Sequence, residues 1–507
     1  MKSLLTLIGL LLLVHAKAPA QSRAQERADR LYAEKSYPDA AEVYAKIVKE
    51  EPRNKAAVRR LADCYRLLND SRNALRWYAR AVKFKGVDPE VWYEYGQVLM
   101  VNRRYPQALP WFEKYRAAQP EDPRAHDMIE ACLNQDRFNG SAMLFAIKRL
   151  GVNSEASDFG PAFYQGKVVF ASARTRQLFD KKFKRTGQGF LDLYTADYAG
   201  KPKLGDPELF RGKVNSPLHE ATPVFSADGK EMFFTRNNYL KGKMGTSSSG
   251  VVNLATYRAV FAEGKWQPEQ PLPFNSPEYS VGHPCLSADG NRLYFVSNMP
   301  GGAGGTDLYY AERSGDGWGE PISLGSAINT PGNEMFPTLH PDGRLFFSCD
   351  VRPGLGGMDI YAVDLAEGSA PEVVNAGAPI NSSADDFAMI YDAEAGVGFF
   401  TSNRRGGRGD DDIYAFTKLI ALRGTLRDTA GNPIPDATVS VLTGRSVVRL
   451  GTDERGAFAY GLSAGQKVRI VFQKPGFTKT DREINAAELD RDQINRIEIT
   501  LKVEPAE

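Results

Sequence analysis

Apolar positions recur with a helical period from residue 21 to about residue 138, and the pattern itself repeats. Ala40, Ala74 and Ala108 stand 34 residues apart, and Tyr44, Tyr78 and Phe112 follow each by four. Small residues let two helices approach, the aromatic fills the gap to the next helix, and Pro52 or Pro120 ends the second helix of a unit. Three helix pairs and a last helix from about Pro123 to Asn134 are predicted. At Asn139-Gly140 the helical period stops and short β-type runs begin.

Between about residue 150 and residue 417 one phrase occurs five times, opening at Asn153-Ser154, Asn215-Ser216, Asn275-Ser276, Asn329-Thr330 and Asn381-Ser382. Each copy continues through a strand, a tight turn such as Ser287 to Gly290, a second strand, a loop and a third strand. The openings lie 62, 60, 54 and 52 residues apart, which suits four strands per unit with loops of varying length. A unit of this size cannot bury its apolar face alone, so the repetition predicts a five-bladed β-propeller over residues 142–417. The fifth copy lacks a fourth strand, whereas the first has a spare one ahead of Asn153, from Met143 to Gly151. The spare is expected to complete the fifth blade and so remove an exposed edge. Residues 419–503 form a separate β pattern punctuated by the turns Asp428 to Gly431, Asp453 to Gly456 and Lys474 to Gly476.

Residues 1–20 stand apart: Lys2, an apolar run from Leu4 to Ala16, then Ala18-Pro19-Ala20. The run is shorter than the ~20 residues of a membrane span and reads as a secretory signal cut after Ala20. Its removal takes Lys2 and Lys17 away and leaves 62 residues of each sign. A neutral chain carries no overall electrostatic footprint for nucleic acid or for an anionic membrane surface. Among the four cysteines, Cys64 and Cys132 occupy one position in helical repeats two units apart, too distant to bridge, and four buried free thiols are expected.

Charge is uneven along the copies. Copy one carries Arg174, Arg176, Lys181, Lys182, Lys184 and Arg185 in one loop, copy two has Lys241 and Lys243 in the corresponding loop, and copy five has Asp410, Asp411 and Asp412. A basic sector facing an acidic one around the ring is expected to orient a partner.

Catalytic constellations are missing. No Gly-x-Ser-x-Gly elbow occurs. His126, His219, His283 and His340 are scattered without ligand spacing, and the glycine runs precede strands rather than helices. The repeated Asp192, Asp307, Asp359 and Asp412 are expected to brace turns through backbone amides. No catalytic, cofactor or metal residues are assigned.

The helical units resemble tetratricopeptide repeats over residues 21–139. That resemblance implies a concave groove for a peptide or partner protein, formed by Arg59, Asp63, Arg66, Tyr93 and Gln97. Ser-x-Asp-Gly and Asp-apolar-Tyr in the middle copies resemble exported WD-repeat-like propellers of TolB type, and residues 419–503 resemble the transthyretin-like carboxypeptidase regulatory-like β-sandwich. The order of the three resembles the PorE-like group of periplasmic OmpA-family envelope proteins of Bacteroidetes. It implies a non-catalytic periplasmic scaffold with protein partners in an outer-membrane or type IX secretion complex. Those proteins usually continue into a peptidoglycan-binding domain, whereas this sequence stops at Glu507, so peptidoglycan association is not carried over. The alternative is a propeller that binds or processes glycans. The loops in which the copies differ are the expected seat of function.

Overall fold

Fully buried alanines at 40, 74 and 108 and fully buried rings at Tyr44, Tyr78 and Phe112 hold the helices in one stack. The computed structural model describes residues 23–139, 145–175, 182–212, 214–267, 269–365, 371–444, 446–491 and 493–504. The helices are α1 (23–33), α2 (Tyr37–Glu50), α3 (Lys55–Leu67), α4 (Ser71–Ala81), α5 (Glu90–Val101), α6 (Tyr105–Ala118) and α7 (Arg124–Leu133). Asn54 and Asp70 cap α3 and α4 by accepting from Ala57 N and Asn73 N, while α2 and α6 start with a proline in the first turn. The turn inside each helix pair passes through a left-handed residue, Lys35, Asn69 or Arg103, again 34 residues apart.

Five small antiparallel sheets follow, of four, five, five, four and four strands among the described residues. Their first strands are Asp158–Tyr164, Glu220–Phe225, Val281–Leu286, Glu334–Leu339 and Asp386–Asp392. Each packs against the first strand of the next sheet, and the fifth packs against the first, so the five form a closed cycle. Every first strand shifts register in its middle, at Gly160, Thr222, His283, Phe336 or Ala388, each with positive φ. Such a bulge bends the strand and steepens its twist where five strands converge. The strand ahead of Asn153, Phe145–Arg149, pairs antiparallel with Asp412–Lys418 and completes the fifth sheet.

The opening phrase of each copy now has a physical account. Its asparagine side chain pairs with both backbone groups of one residue in the preceding sheet's third strand, as a peptide unit would. Asn153 does this with Ile413 (2.9 and 2.9 Å), Asn329 with Leu308 (2.8 and 3.0 Å) and Asn381 with Ile360 (2.8 and 2.8 Å). Asn215 and Asn275 repeat the contact at Leu193 and Thr256. The following Ser or Thr donates its backbone N–H to a fully buried carboxylate that starts its own first strand: Asp158, Glu220, Glu334 or Asp386.

An arginine neutralises three of those carboxylates, Arg174 at Asp158 (2.7 Å), Arg236 at Glu220 (2.7 Å) and Arg404 at Asp386 (2.5 Å). Glu334 instead accepts from Thr330 Oγ1 (2.5 Å) and Cys349 Sγ (3.1 Å), and no cation pairs with it among the described residues. Burial pushes its carboxyl up to about 7. A raised folded-state value means the ion is disfavoured in the fold, so stability is intact near the ordinary carboxylate range and is lost as pH rises through 7. Glu334→Gln should therefore flatten the fall in unfolding free energy between pH 5 and pH 8 by up to about 3 kcal/mol. Urea titrations at the two pH values measure this, and an unchanged slope would contradict it.

The third-strand aspartates brace the glycine loops. Asp307 accepts from Ala303 N (3.0 Å), Asp359 from Leu355 N (2.5 Å) and Asp412 from Gly409 N (3.1 Å). The last unit packs a three-stranded sheet on a four-stranded one around Leu422, Val439, Val441, Leu462, Ile470 and Phe472. All four cysteines are free. Cys64, Cys285 and Cys349 are buried, but Cys132, near the end of α7, is only half-buried, because no further helix pair covers it. Burial pushes the Cys64, Cys132 and Cys285 thiols up to about 12.

Candidate functional site

The row of repeat turns sets the helical stack on the fourth and fifth sheets, at the loops after their second strands and at the lead-in to the fifth. Asn69 Nδ2 donates to Asp410 Oδ1 (3.3 Å), Arg103 Nε to Ser383 Oγ (3.3 Å) and Tyr105 OH to the Leu355 carbonyl (2.6 Å). Arg405 reaches back to Asn102 Oδ1 (2.8 Å). Between stack and ring lies a chamber of about 810 Å³. Arg66, Gln97 and Arg103 form its helical wall, while Phe336, Asp350, Asp385, Phe387, Asp410 and Asp411 belong to its ring wall.

The carboxylates of the ring wall are held by neutral donors. Asp350 accepts from Asn333 N (2.9 Å) and Nδ2 (2.7 Å), Asp385 from Met358 N (2.9 Å) and Asn403 Nδ2 (2.7 Å), and Asp410 also from Gln188 Nε2 (3.3 Å). None of the four forms an ion pair among the described residues. Burial raises Asp350 and Asp410, and burial together with Asp410 and Asp385 pushes Asp411 up to about 8. The chamber's arginines are engaged elsewhere or sit at its rim. Arg66 binds Tyr78 OH and Glu94 Oε1 (3.1 Å each), Arg404 holds Asp386, and Arg103 and Arg405 are exposed. Phe336 stacks on His283 (4.1 Å) and meets Phe387 (4.5 Å) and Phe159 (6.4 Å), which gives the chamber an aromatic floor.

The residues assigned from sequence fall in different places. Arg66, Gln97 and Arg185 meet at the chamber. Asp63, Tyr93 and Arg59 serve the interior of the stack instead. Asp63 is buried and accepts from Tyr78 OH (2.6 Å), and Tyr93 is buried against Phe112 and Tyr115. Arg59 spans Asp88 (3.3 Å) and Glu94 (3.6 Å). Arg174 is likewise not a loop cation, because Asp158 and the Val152 carbonyl hold it inside the first sheet. Lys182, Lys184 and Arg185 are exposed, and Arg176 and Lys181 lie outside the described residues.

Two expectations are corrected. The basic and acidic loops are neighbours rather than opposite sectors, since ring closure sets copy five beside copy one and joins Gln188 to Asp410. One group with ligand-like spacing does occur, His126, Asp127 and Glu130, with ligand atoms within 4.8 Å. Arg137 already holds Glu130 at 2.6 Å. Asp350 and Asp385 went unassigned, although comparison of the copies carries a signal. Asp350 stands where copies two, three and five have Asn237, Asn298 and Asn403, and Asp385 stands where the others have Ser157, His219, Ser280 and Asn333.

Family models match in three places: tetratricopeptide repeats at residues 31–93 and 70–123, and the carboxypeptidase regulatory-like domain at residues 421–502. No curated protein matches the chain. Among solved structures, similarity is found to YrrB, a TPR protein with an unusual peptide-binding site (19% identity, 21% of this chain and 55% of that one, TM-score 0.20). It is also found to Zg3597, a family 117 glycoside hydrolase of Zobellia galactanivorans (14% identity, 55% and 91% of the two chains, TM-score 0.36). A third is a thermostable family-43 glycoside hydrolase (14%, 54% and 92%, TM-score 0.34). This chain thus spans about half the length of YrrB. No described helix is long and apolar enough to cross a membrane.

Proposed function

We propose that the chain is a non-catalytic scaffold of the bacterial periplasm, with a five-bladed propeller between its tetratricopeptide stack and its terminal sandwich. It holds protein partners within an outer-membrane assembly of the type IX secretion kind. The observation that carries this reading is the shared chamber. The groove end at Arg66 and Gln97 opens onto the ring wall at Asp385 and Asp411, so one extended segment touches both modules. Helical repeats of this kind imply protein partners, and the ring supplies the rigid platform. A photo-cross-linker at Gln97, followed by isolation from envelopes, should capture a defined set of envelope proteins that a linker at exposed Lys502 does not. Identical captures from both positions would overturn the reading.

The carboxylates Asp350, Asp385, Asp410 and Asp411 on one wall with Phe336 favour glycan binding as a second reading, because they offer hydroxyl acceptors beside an apolar face. Under it, purified protein binds or cleaves peptidoglycan fragments and Asp385→Asn abolishes the effect. Retention of protein partners by that variant, with no glycan effect in the parent, returns the first reading.

A further inference from the structure

The loop following the second strand of sheet two lies outside the chamber, and that of sheet one enters it through Phe183, Arg185, Thr186 and Gln188 while Lys182 and Lys184 do not line it. The described end of the first loop presents Lys182, Lys184 and Arg185, all exposed. The second, residues 237–251, contains no acidic residue and folds a two-residue hairpin in which Tyr239 pairs with Met244 and Leu240 with Lys243. Lys241 and Gly242 both take positive φ at its tip, the twist a tight hairpin needs. Lys241 and Lys243 are exposed, Met244 is 58% exposed and Val251 41%.

The two loops are contiguous. Phe183 and Phe190 lie 4.3 and 4.8 Å from the His219 ring, and His219 N donates to Asn237 Oδ1 (3.2 Å) at the base of the hairpin. Burial pushes His219 down to about 4, so it adds no charge near neutrality. Carboxylates touch both loops: Glu278 accepts from Ser248 N and Oγ (3.0 and 2.8 Å), and Asp410 accepts from Gln188 Nε2 (3.3 Å). Four exposed cations outside the chamber, Lys182, Lys184, Lys241 and Lys243, therefore stand on these adjoining loops, and none enters an ion pair among the described residues.

We infer that this pair of loops binds an anionic lipid surface, with Lys241 at the hairpin tip on the headgroups and exposed Met244, at the hairpin's outer pair, entering the headgroup layer. A cluster of lysines is attracted to anionic headgroups and needs no shaped partner, and an exposed apolar side chain beside them adds shallow insertion. An acidic protein would need a complementary patch of about 800 Å², which a hairpin of two-residue strands does not offer. The four lysines on these loops do not line the chamber.

Full-length protein freed of residues 1–20 is co-sedimented with phosphatidylcholine vesicles with or without phosphatidylglycerol. Binding is expected only to the anionic vesicles and should fade with salt. Lys241→Glu with Lys243→Glu should weaken it at least about tenfold, and Met244→Asp should weaken it without altering the thermal midpoint. Equal binding to both vesicles, no binding, or full binding by the lysine variant would overturn the inference. So would polyglutamate that displaces the vesicles while Met244→Asp binds as the parent does, since that result marks an acidic-protein site.

Discussion

Replacing Asn153 by aspartate should destabilise the ring by about 4 kcal/mol near neutral pH and lower its thermal midpoint by roughly 10 °C. Asn153 is 1% exposed, and its amide both accepts from Ile413 N and donates to Ile413 O. Aspartate keeps the first bond but turns a carboxylate oxygen toward the Ile413 carbonyl and adds a buried charge. A protonated carboxyl donates where the amide did, so the variant's deficit should shrink as pH falls below the raised value of that new group. Asn329→Asp makes the same loss inside continuous chain. Only Asn153→Asp acts at the seam, so only it should speed amide exchange in Phe145–Arg149. An unfolding free energy from urea titration within about 1 kcal/mol of the parent would show that the latch carries no weight.

The second large effect is expected at Gly356. A Cβ there would stand 2.2 Å from the Ser383 carbonyl carbon and 2.3 Å from its oxygen. That obstacle is the backbone of the next sheet's lead-in, which a rotamer change cannot move. Gly356→Ala should cost about 4 kcal/mol, comparable with the worst overpacking of a core. Ser383 receives Arg103 of the stack, and Asp385 beside it belongs to the chamber, so the variant should also loosen the stack from the ring. Limited proteolysis between stack and ring reads this second effect. Gly343→Ala is the control: its φ is +92° but a Cβ meets nothing within 4 Å, so strain of about 1 kcal/mol is all it should show. Equal costs at the two sites would refute the steric account.

Much of this fold is legible in the chain because its forces are local or periodic. The 34-residue spacing of Ala40, Ala74 and Ala108 reports which helix faces meet, and these positions are fully buried. Sheet order follows from strands joined by short turns, and the spare strand ahead of Asn153 has one free edge to pair with. Asp307, Asp359 and Asp412 brace turns three to four residues away, within the reach of sequence reasoning. The groove fared differently. Repeat position places Asp63 and Tyr93 on the inner face of the stack, yet it does not reveal that Tyr78 and Phe112 from neighbouring helices take them into the core.

The sequence by itself determined the helical repeats and the five copies of a β unit, because both show as regular spacings along the chain, whereas the partners of the opening asparagine lie 19 to 260 residues away and emerge only in the fold. Tertiary structure alone decided which charges face a shared space. Arg66, Asp350, Asp385 and Asp411 come from separate repeats and loops. They meet because the turns at Asn69 and Arg103 dock on the ring, a contact between surfaces about 300 residues apart that no local periodicity encodes.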